Sequence, residues 1–103
     1  MSASYTLLAA AEADLRDIIR YTRKHWGSAQ ARSYVAGLQR AIEAVAVGQS
    51  QFRDMSALHR GLRMVKCDHH FIFCLPQNDG PALVVAIFHE KMDLMARLAD
   101  RLK

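Results

Sequence analysis

The chain has few of the residues that mark specialised protein classes. It contains two cysteines and two prolines in 103 residues, which excludes a disulfide-stapled scaffold and a proline-rich disordered chain. No apolar run approaches the roughly 20 residues that span a bilayer. Residues 1–4 show neither the basic region nor the apolar block of a signal peptide. We therefore expect a cytoplasmic protein with no membrane partner.

The residues that are present suffice for one hydrophobic core. Hydrophobic residues make up 51% of the chain, and a chain of this length supports one domain, so we assign residues 1–103 to a single domain. Fourteen Lys and Arg against ten Asp and Glu give a formal net charge of +4. This charge favours an acidic or polyanionic partner without naming one.

The segment from Arg60 to Leu75 predicts the hairpin around which the sheet is built. Two short runs with β-branched and aromatic residues at alternate positions flank the polar pair Asp68-His69, a pattern typical of an antiparallel hairpin. A turn at this pair fixes the register, because antiparallel partners keep a constant index sum. The predicted pairs are Lys66 with Phe71, Met64 with Phe73 and Leu62 with Leu75.

The two faces of this hairpin differ in chemistry. One is almost entirely apolar, whereas the other mixes apolar residues with a cation and an imidazole. We place Arg63, on the mixed face, outside the helix-facing core. Cys67 and Cys74 share the mixed face, but at about 3.3 Å per residue they lie about 13 Å apart, beyond disulfide reach. We expect both to be reduced and buried. The mixed face comprises Arg63, Val65, Cys67, His70, Ile72 and Cys74.

A short strand and a helix are predicted before the hairpin. Residues Ser4 to Leu8 favour the strand, and helical spacing begins at Ala9. Acidic residues in its first turns and basic residues at its end suit the helix dipole. We expect the helix to stop at Gly27 in a left-handed C-cap, with Trp26 folded back on the apolar stripe.

A second helix gives the strongest periodic signal in the chain. Ser28 is a suitable N-cap, and Gly48 marks the end. Because the link between the helices has only two or three residues, they must lie antiparallel. The apolar stripe of the second helix consists of Ala31, Tyr34, Val35, Leu38, Ala41, Ile42 and Val45.

The remaining elements complete the fold. Gln49 to His59 is predicted to be a loop, and Leu83 to Phe88 an apolar strand covered on both faces. Asp93 can cap a short final helix that is striped by Leu94, Met95, Leu98 and Leu102 and ends in Arg101 and Lys103. The expected fold class is α+β, with an N-terminal strand, an antiparallel helical hairpin packed on one face of a mainly antiparallel sheet, and a short C-terminal helix.

A set of short motifs then carries a resemblance that covers nearly the whole chain. In order, the motifs are Asp14-Leu15 with Ile18, Tyr21-Thr22, Trp26-Gly27, Gln30-Ala31 with Tyr34, Gly61-Leu62-Arg63, His70 with Ile72-Phe73, and Ile87-Phe88-His89 with Met92-Asp93. This pattern resembles the ParE family, the toxins of ParD/ParE toxin–antitoxin modules in the wider RelE/ParE superfamily.

The resemblance implies a small toxin that inhibits DNA gyrase and so blocks replication. It also implies a ParD-like antitoxin whose flexible tail wraps the toxin and whose other domain binds DNA, so that the toxin meets DNA only indirectly. An acidic tail would suit a basic toxin, because opposite net charges speed encounter. No cofactor and no metal are expected.

Candidate contact residues lie in the second half of the chain. Each also has a plainer structural alternative, such as a surface ion pair for Arg63 or ordinary hydrogen bonds for the histidines. His69-His70 lacks a further ligand at metal-binding spacing. The candidates for target or antitoxin binding are Arg60, Arg63, Lys66, His70, His89, Lys91 and Met92.

Two other functions compete with this prediction. In a RelE-like ribosome-dependent mRNA endonuclease, Lys and Arg would hold the phosphate while His69, His70 or His89 moved protons. However, the last tyrosine is Tyr34, and nothing after Asp93 is a suitable acid or base. A plain nucleic-acid-binding module would explain the charge, but the basic residues are scattered along the sequence and no recognition helix is evident.

Overall fold

The computed structural model describes residues 5–103 and places one sheet between a helical hairpin and a short helix. The five strands have the order β1-β5-β4-β3-β2. All neighbours are antiparallel except β1 and β5, which are parallel. The elements are β1 Tyr5–Leu7, α1 Ala9–Trp26, α2 Ser28–Ala46, β2 Arg53–Asp54, β3 Arg63–Cys67, β4 His70–Leu75, β5 Ala82–His89 and α3 Leu94–Arg101. The predicted fold class is confirmed.

The predicted hairpin register is confirmed. Lys66 pairs with Phe71 and Met64 with Phe73, while Leu62 lies just before β3 begins. The turn has no glycine, yet Asp68 adopts a φ of 53°. Aspartate tolerates this left-handed region better than most residues, so the turn can close in two residues.

The structure reverses the predicted assignment of the helices to the two faces of the sheet. The helical hairpin packs on the mixed face, where Ile18, Leu38 and Ile42 meet Ile72 and Ile87. The short helix α3 covers the apolar face. The residues of this second core are Leu62, Met64, Phe73, Val85, Ala86, Phe88 and Leu98.

The expectation that Arg63 lies outside the helix-facing side is therefore wrong. The Arg63 guanidinium lies under the end of α2, where Nη1 donates to Val45 O at 3.3 Å. Its Cζ also lies 4.2 Å from the centroid of the Phe52 ring. The helix end thus supplies a polar partner that lets a cation occupy this face.

The link between α1 and α2 also differs from the prediction. It is the single residue Gly27, with φ 91° and ψ 168°, which is not the left-handed helical conformation. Because Gly27 directly precedes α2, Ser28 is the first helical residue and cannot act as N-cap. Trp26 points outward and is 71% exposed, so it does not fold back on the apolar stripe.

Smaller differences concern single segments. The predicted loop Gln49 to His59 contains the edge strand Arg53–Asp54, which pairs with β3. A strand of two residues gives no periodic signal in a sequence. Asp93 caps α3 as expected, accepting from Ala96 N–H at 3.4 Å. Ser4 lies outside the described residues.

Both cysteines are free, but Cys67 is only half-buried, because it lies at the end of β3 beside the exposed turn. Across residues 5–103, no helix is long and apolar enough to cross a membrane.

Candidate functional site

A cleft of about 730 Å³ opens where the helical hairpin meets the ends of β4 and β5. Ile18 and Ile87 form apolar parts of its wall, and Tyr21 and Trp26 line it from α1. Three imidazoles, those of His69, His70 and His89, line the other side. The cleft is therefore a mixed aromatic and polar site rather than a simple hydrophobic groove.

Strand pairing brings the three histidines together. His70 begins β4 and pairs with His89 at the end of β5, so their rings meet edge to face with centroids 5.1 Å apart. His69, in the turn, stacks with His89 at 6.4 Å. Residues 20 positions apart in the sequence thus share one end of the sheet.

Tyr34 of α2 joins this cluster through a chain of hydrogen bonds. Its hydroxyl oxygen accepts from His69 N–H at 3.4 Å and lies 2.6 Å from His70 Nδ1. We assign the hydroxyl proton to the bond with Nδ1, so that the hydroxyl both accepts and donates, and the proton of neutral His70 then lies on Nε2. His89 Nδ1 accepts from Lys91 N–H at 3.1 Å, so neutral His89 also carries its proton on Nε2.

His70 is held neutral at physiological pH. Burial disfavours its charged form, and the neighbouring His89 and His69 add repulsion, so the pKa of His70 falls to about 4. Burial likewise raises the pKa of the Tyr34 hydroxyl. The inner part of the cluster therefore offers uncharged hydrogen-bonding groups.

The outer part of the cluster is ionic. His69 Nδ1 lies 2.6 Å from Glu90 Oε2, and Lys66 Nζ lies 3.2 Å from Glu90 Oε1. These two hydrogen bonds lower the pKa of the Glu90 carboxyl. Glu90 N–H also donates to His69 O at 2.8 Å. The hairpin turn is thereby tied to the end of β5.

The cleft holds no preformed cluster of metal ligands. Within the part of the chain that the structure describes, no group of three or more His, Cys, Asp or Glu side chains is arranged to bind a metal ion. Its chemistry is that of neutral N–H donors, a phenol, nearby carboxylates and exposed aromatic rings, which suits recognition of a partly aromatic, hydrogen-bonding ligand.

Comparison with known proteins decides the family. Residues 5–94 match the family described as "ParE toxin of type II toxin-antitoxin system, parDE". The chain belongs to the ParE toxin family. It is 61% identical over 100 residues to a Toxin ParE of Escherichia coli, covering 97% of each chain.

More distant relatives agree with this assignment. The chain is 33% identical to Toxin ParE1 of Mycobacterium tuberculosis strain H37Rv over 94 residues, with 91% of this chain and 96% of that protein covered. A solved structure titled "Chromosomal ParDE TA system from P. aeruginosa" superposes with a TM-score of 0.68 at 16% identity, covering 84% of this chain and 94% of the other. At that identity the superposition shows the shared fold alone.

The structure divides the predicted contact residues of this ParE-family toxin into two groups. Lys66, His70 and His89 belong to the cluster at the cleft, and Met92 lines the cleft directly. The backbone N–H of Lys91 fixes His89, although the Lys91 side chain is exposed. Arg60 and Arg63 lie away from this group, before and at the start of β3. The binding role of all seven residues stays a prediction.

Sequence reasoning did not assign Tyr34, Glu90, Tyr21 or Trp26 to the site. A signal for Tyr34 was available, because it is the polar-tipped residue of an otherwise apolar helical stripe and can serve a buried imidazole. Glu90 had no comparable signal, since its two partners come from a different strand and a turn.

Proposed function

We propose that this ParE-family toxin inhibits DNA gyrase and is neutralised by a ParD-like antitoxin. The observation that carries the proposal is the 61% identity to a Toxin ParE over 97% of both chains, together with the gyrase inhibition that the ParE resemblance implies. A gyrase target would place its action in the cytoplasm.

The apolar face of the sheet supports binding of an antitoxin tail. This face is covered by one helix of eight residues, α3, which leaves Phe71 and Leu75 only partly buried. On α3 itself, between Leu94 and the buried Leu98, Met95 is 48% exposed. Incompletely covered apolar surface of this kind marks a place for a partner segment.

Charge complementarity supports the same partner. The toxin carries a formal net charge of +4, and an acidic tail would be attracted to it before contact. The tail would then bury the apolar face that α3 leaves partly open. We therefore expect the antitoxin tail on the side of the sheet opposite the helical hairpin.

A gyrase assay tests the target. Purified gyrase is allowed to supercoil plasmid DNA with and without the toxin, and the products are treated with detergent and protease. We expect less supercoiled DNA and an accumulation of linear DNA, both reversed by the cognate antitoxin. Unaffected gyrase would refute this target, and cleavage of mRNA in a translating extract would then support the ribosome-dependent alternative.

A pair of matched variants tests the antitoxin surface. Met95→Asp places a charge beside the apolar face and is expected to weaken antitoxin binding by about tenfold or more. Val47→Asp is the control, because Val47 is similarly exposed but follows α2 on the other side of the sheet. Equal losses in the two variants, measured by calorimetric titration, would exclude this face as the docking surface.

A further inference from the structure

The rim of the cleft carries aromatic rings that contribute little to the core. Trp26 is 71% exposed and Tyr21 61% exposed. The Tyr21 ring packs on the His25 ring with centroids 4.2 Å apart, which holds it as a platform at the end of α1. Exposed rings of this kind are surfaces on which unpaired nucleic-acid bases stack.

The interior of the cleft suits a neutral ligand that has both donors and acceptors. Asp17 and Asp68 line the cleft together with Gln30, and the carboxylates would repel a phosphate. The Nε2 atoms of the His70 and His89 rings have no hydrogen-bond partner among residues 5–103. A nucleobase offers amino groups to carboxylates and ring nitrogens or carbonyls to N–H donors. The volume of about 730 Å³ is in the range of small-ligand sites.

A basic groove adjoins the cleft on α1. Arg16, Arg20, Arg23 and Lys24 lie on one side of the helix, as their spacing requires, and line a shallow groove. Arg20 of the groove pairs with Asp17, which lines the cleft, at 3.3 Å, so both features lie along α1. Arg23 and Lys24 have no acidic partner in the described chain.

We propose that the cleft and this basic groove together bind single-stranded nucleic acid. One unpaired base enters the cleft against Trp26 and Tyr21, and the phosphates on either side lie along the cations of α1. Single-strand binding sites combine these two parts, a cationic track and stacking rings. The proposal departs from the expectation that the toxin meets DNA only through its antitoxin, and it does not depend on gyrase as the target.

The single tryptophan of the chain makes the test direct. Because Trp26 is the only tryptophan and lines the cleft, its fluorescence reports occupancy of the site. The probes are a single-stranded DNA of about ten nucleotides, an RNA of the same sequence, and the DNA duplex. We expect a saturable change in Trp26 emission with a single strand, and binding at least about tenfold tighter than to the duplex. The tighter of DNA and RNA identifies the natural source.

Two variants test the stacking ring and the cationic groove of the proposed site separately. Tyr21→Ala removes a stacking ring and is expected to weaken single-strand binding about fivefold to tenfold. Arg23→Ala/Lys24→Ala removes two phosphate contacts and should reduce the slope of log affinity against log salt by about 1.4. The control double variant, Arg53→Ala/Arg97→Ala, makes the same change in net charge at exposed positions outside the groove and should leave the slope unchanged.

Three results would overturn the proposal. These are an unchanged Trp26 emission with all three probes, duplex binding as tight as single-strand binding, or equal slope changes in the two double variants. If no nucleic-acid probe changes Trp26 emission but a separate titration with antitoxin or gyrase subunits does, the cleft is instead a protein-docking surface. The assay contains neither partner, so its result is independent of the gyrase test.

Discussion

Asp14 on α1 and Arg101 on α3 form a two-pronged salt bridge, with N–O distances of 2.9 and 3.1 Å, across 87 residues of sequence. The same carboxylate accepts from Ile87 N–H at 3.0 Å, and the same guanidinium donates to Val85 O at 3.0 Å. β1 pairs only with residues 82–84 of β5. The two side chains therefore satisfy the backbone of β5 where the sheet has no further strand, and they attach α3 to α1.

Asp14→Ala should lower the free energy of unfolding by about 2–4 kcal/mol. The change leaves a partly buried guanidinium without its partner and Ile87 N–H without an acceptor, and each loss is costly away from water. Chemical denaturation of the variant and the parent measures the difference. Asp17→Ala is the control, because its pair with Arg20 is exposed and should contribute less than about 0.5 kcal/mol. Comparable losses in the two variants would show that the Asp14–Arg101 pair stabilises the fold no more than an exposed ion pair does.

Arg63→Ala should lower the free energy of unfolding by about 1–2 kcal/mol. The variant loses the hydrogen bond to Val45 O at the end of α2 and the stacking on Phe52. Arg60→Ala, in the exposed loop before β3, should be within about 0.5 kcal/mol of the parent. A variant of unchanged stability that still lost antitoxin affinity would instead favour the contact role predicted for Arg63 from the sequence.

The elements of the fold could be predicted because their signals are local. The hairpin register followed from the alternation on either side of Asp68-His69, and α2 followed from an apolar stripe repeated over several turns. Such patterns assign a residue to one face of its helix or strand without any knowledge of the residues that pack against it. The resemblance to the ParE family was also local, since it rested on short motifs in the correct order.

The features that were predicted wrongly or not at all depend on contacts between residues that are distant in the sequence. An apolar face suggested helix cover, but the mixed face became the helix side because Tyr34 and the end of α2 supply partners for His70 and Arg63. Trp26 was expected to fold back on the apolar stripe, but as the last residue of α1 it is 71% exposed. The histidine cleft depends on pairing between β4 and β5, which no single segment of sequence encodes.

Leu98→Ala should lower the free energy of unfolding by about 2–4 kcal/mol. Leu98 is the fully buried residue through which α3 packs on the apolar face, and its truncation leaves a cavity there. Met95→Ala, one turn earlier and exposed, should change stability by less than about 0.5 kcal/mol. If the antitoxin tail covers this face, its addition should recover part of the loss in Leu98→Ala. A Leu98→Ala protein as stable as the parent would show that α3 is not held by this contact.

The neutral state of His70 makes stability depend on pH. Its pKa is about 4 in the folded protein and about 6.5 when unfolded, so the unfolded state binds more protons between these values. Stability from this group is therefore fully present above pH about 6.5 and is lost as pH falls toward about 4. The expected loss at pH about 5 is about 2 kcal/mol.

Denaturation of the parent and of His70→Gln at pH about 7.5 and about 5 measures this loss. Glutamine can still bond to the Tyr34 hydroxyl but does not titrate, so its stability should fall much less across the interval. His25→Gln, which replaces an exposed histidine on α1, should keep the slope of the parent. The Glu90 carboxyl also has a lowered pKa. The stability that it contributes is lost only at more acid pH, so Glu90 has little effect in this window. An unchanged slope in His70→Gln would mean that His70 is not the group that titrates.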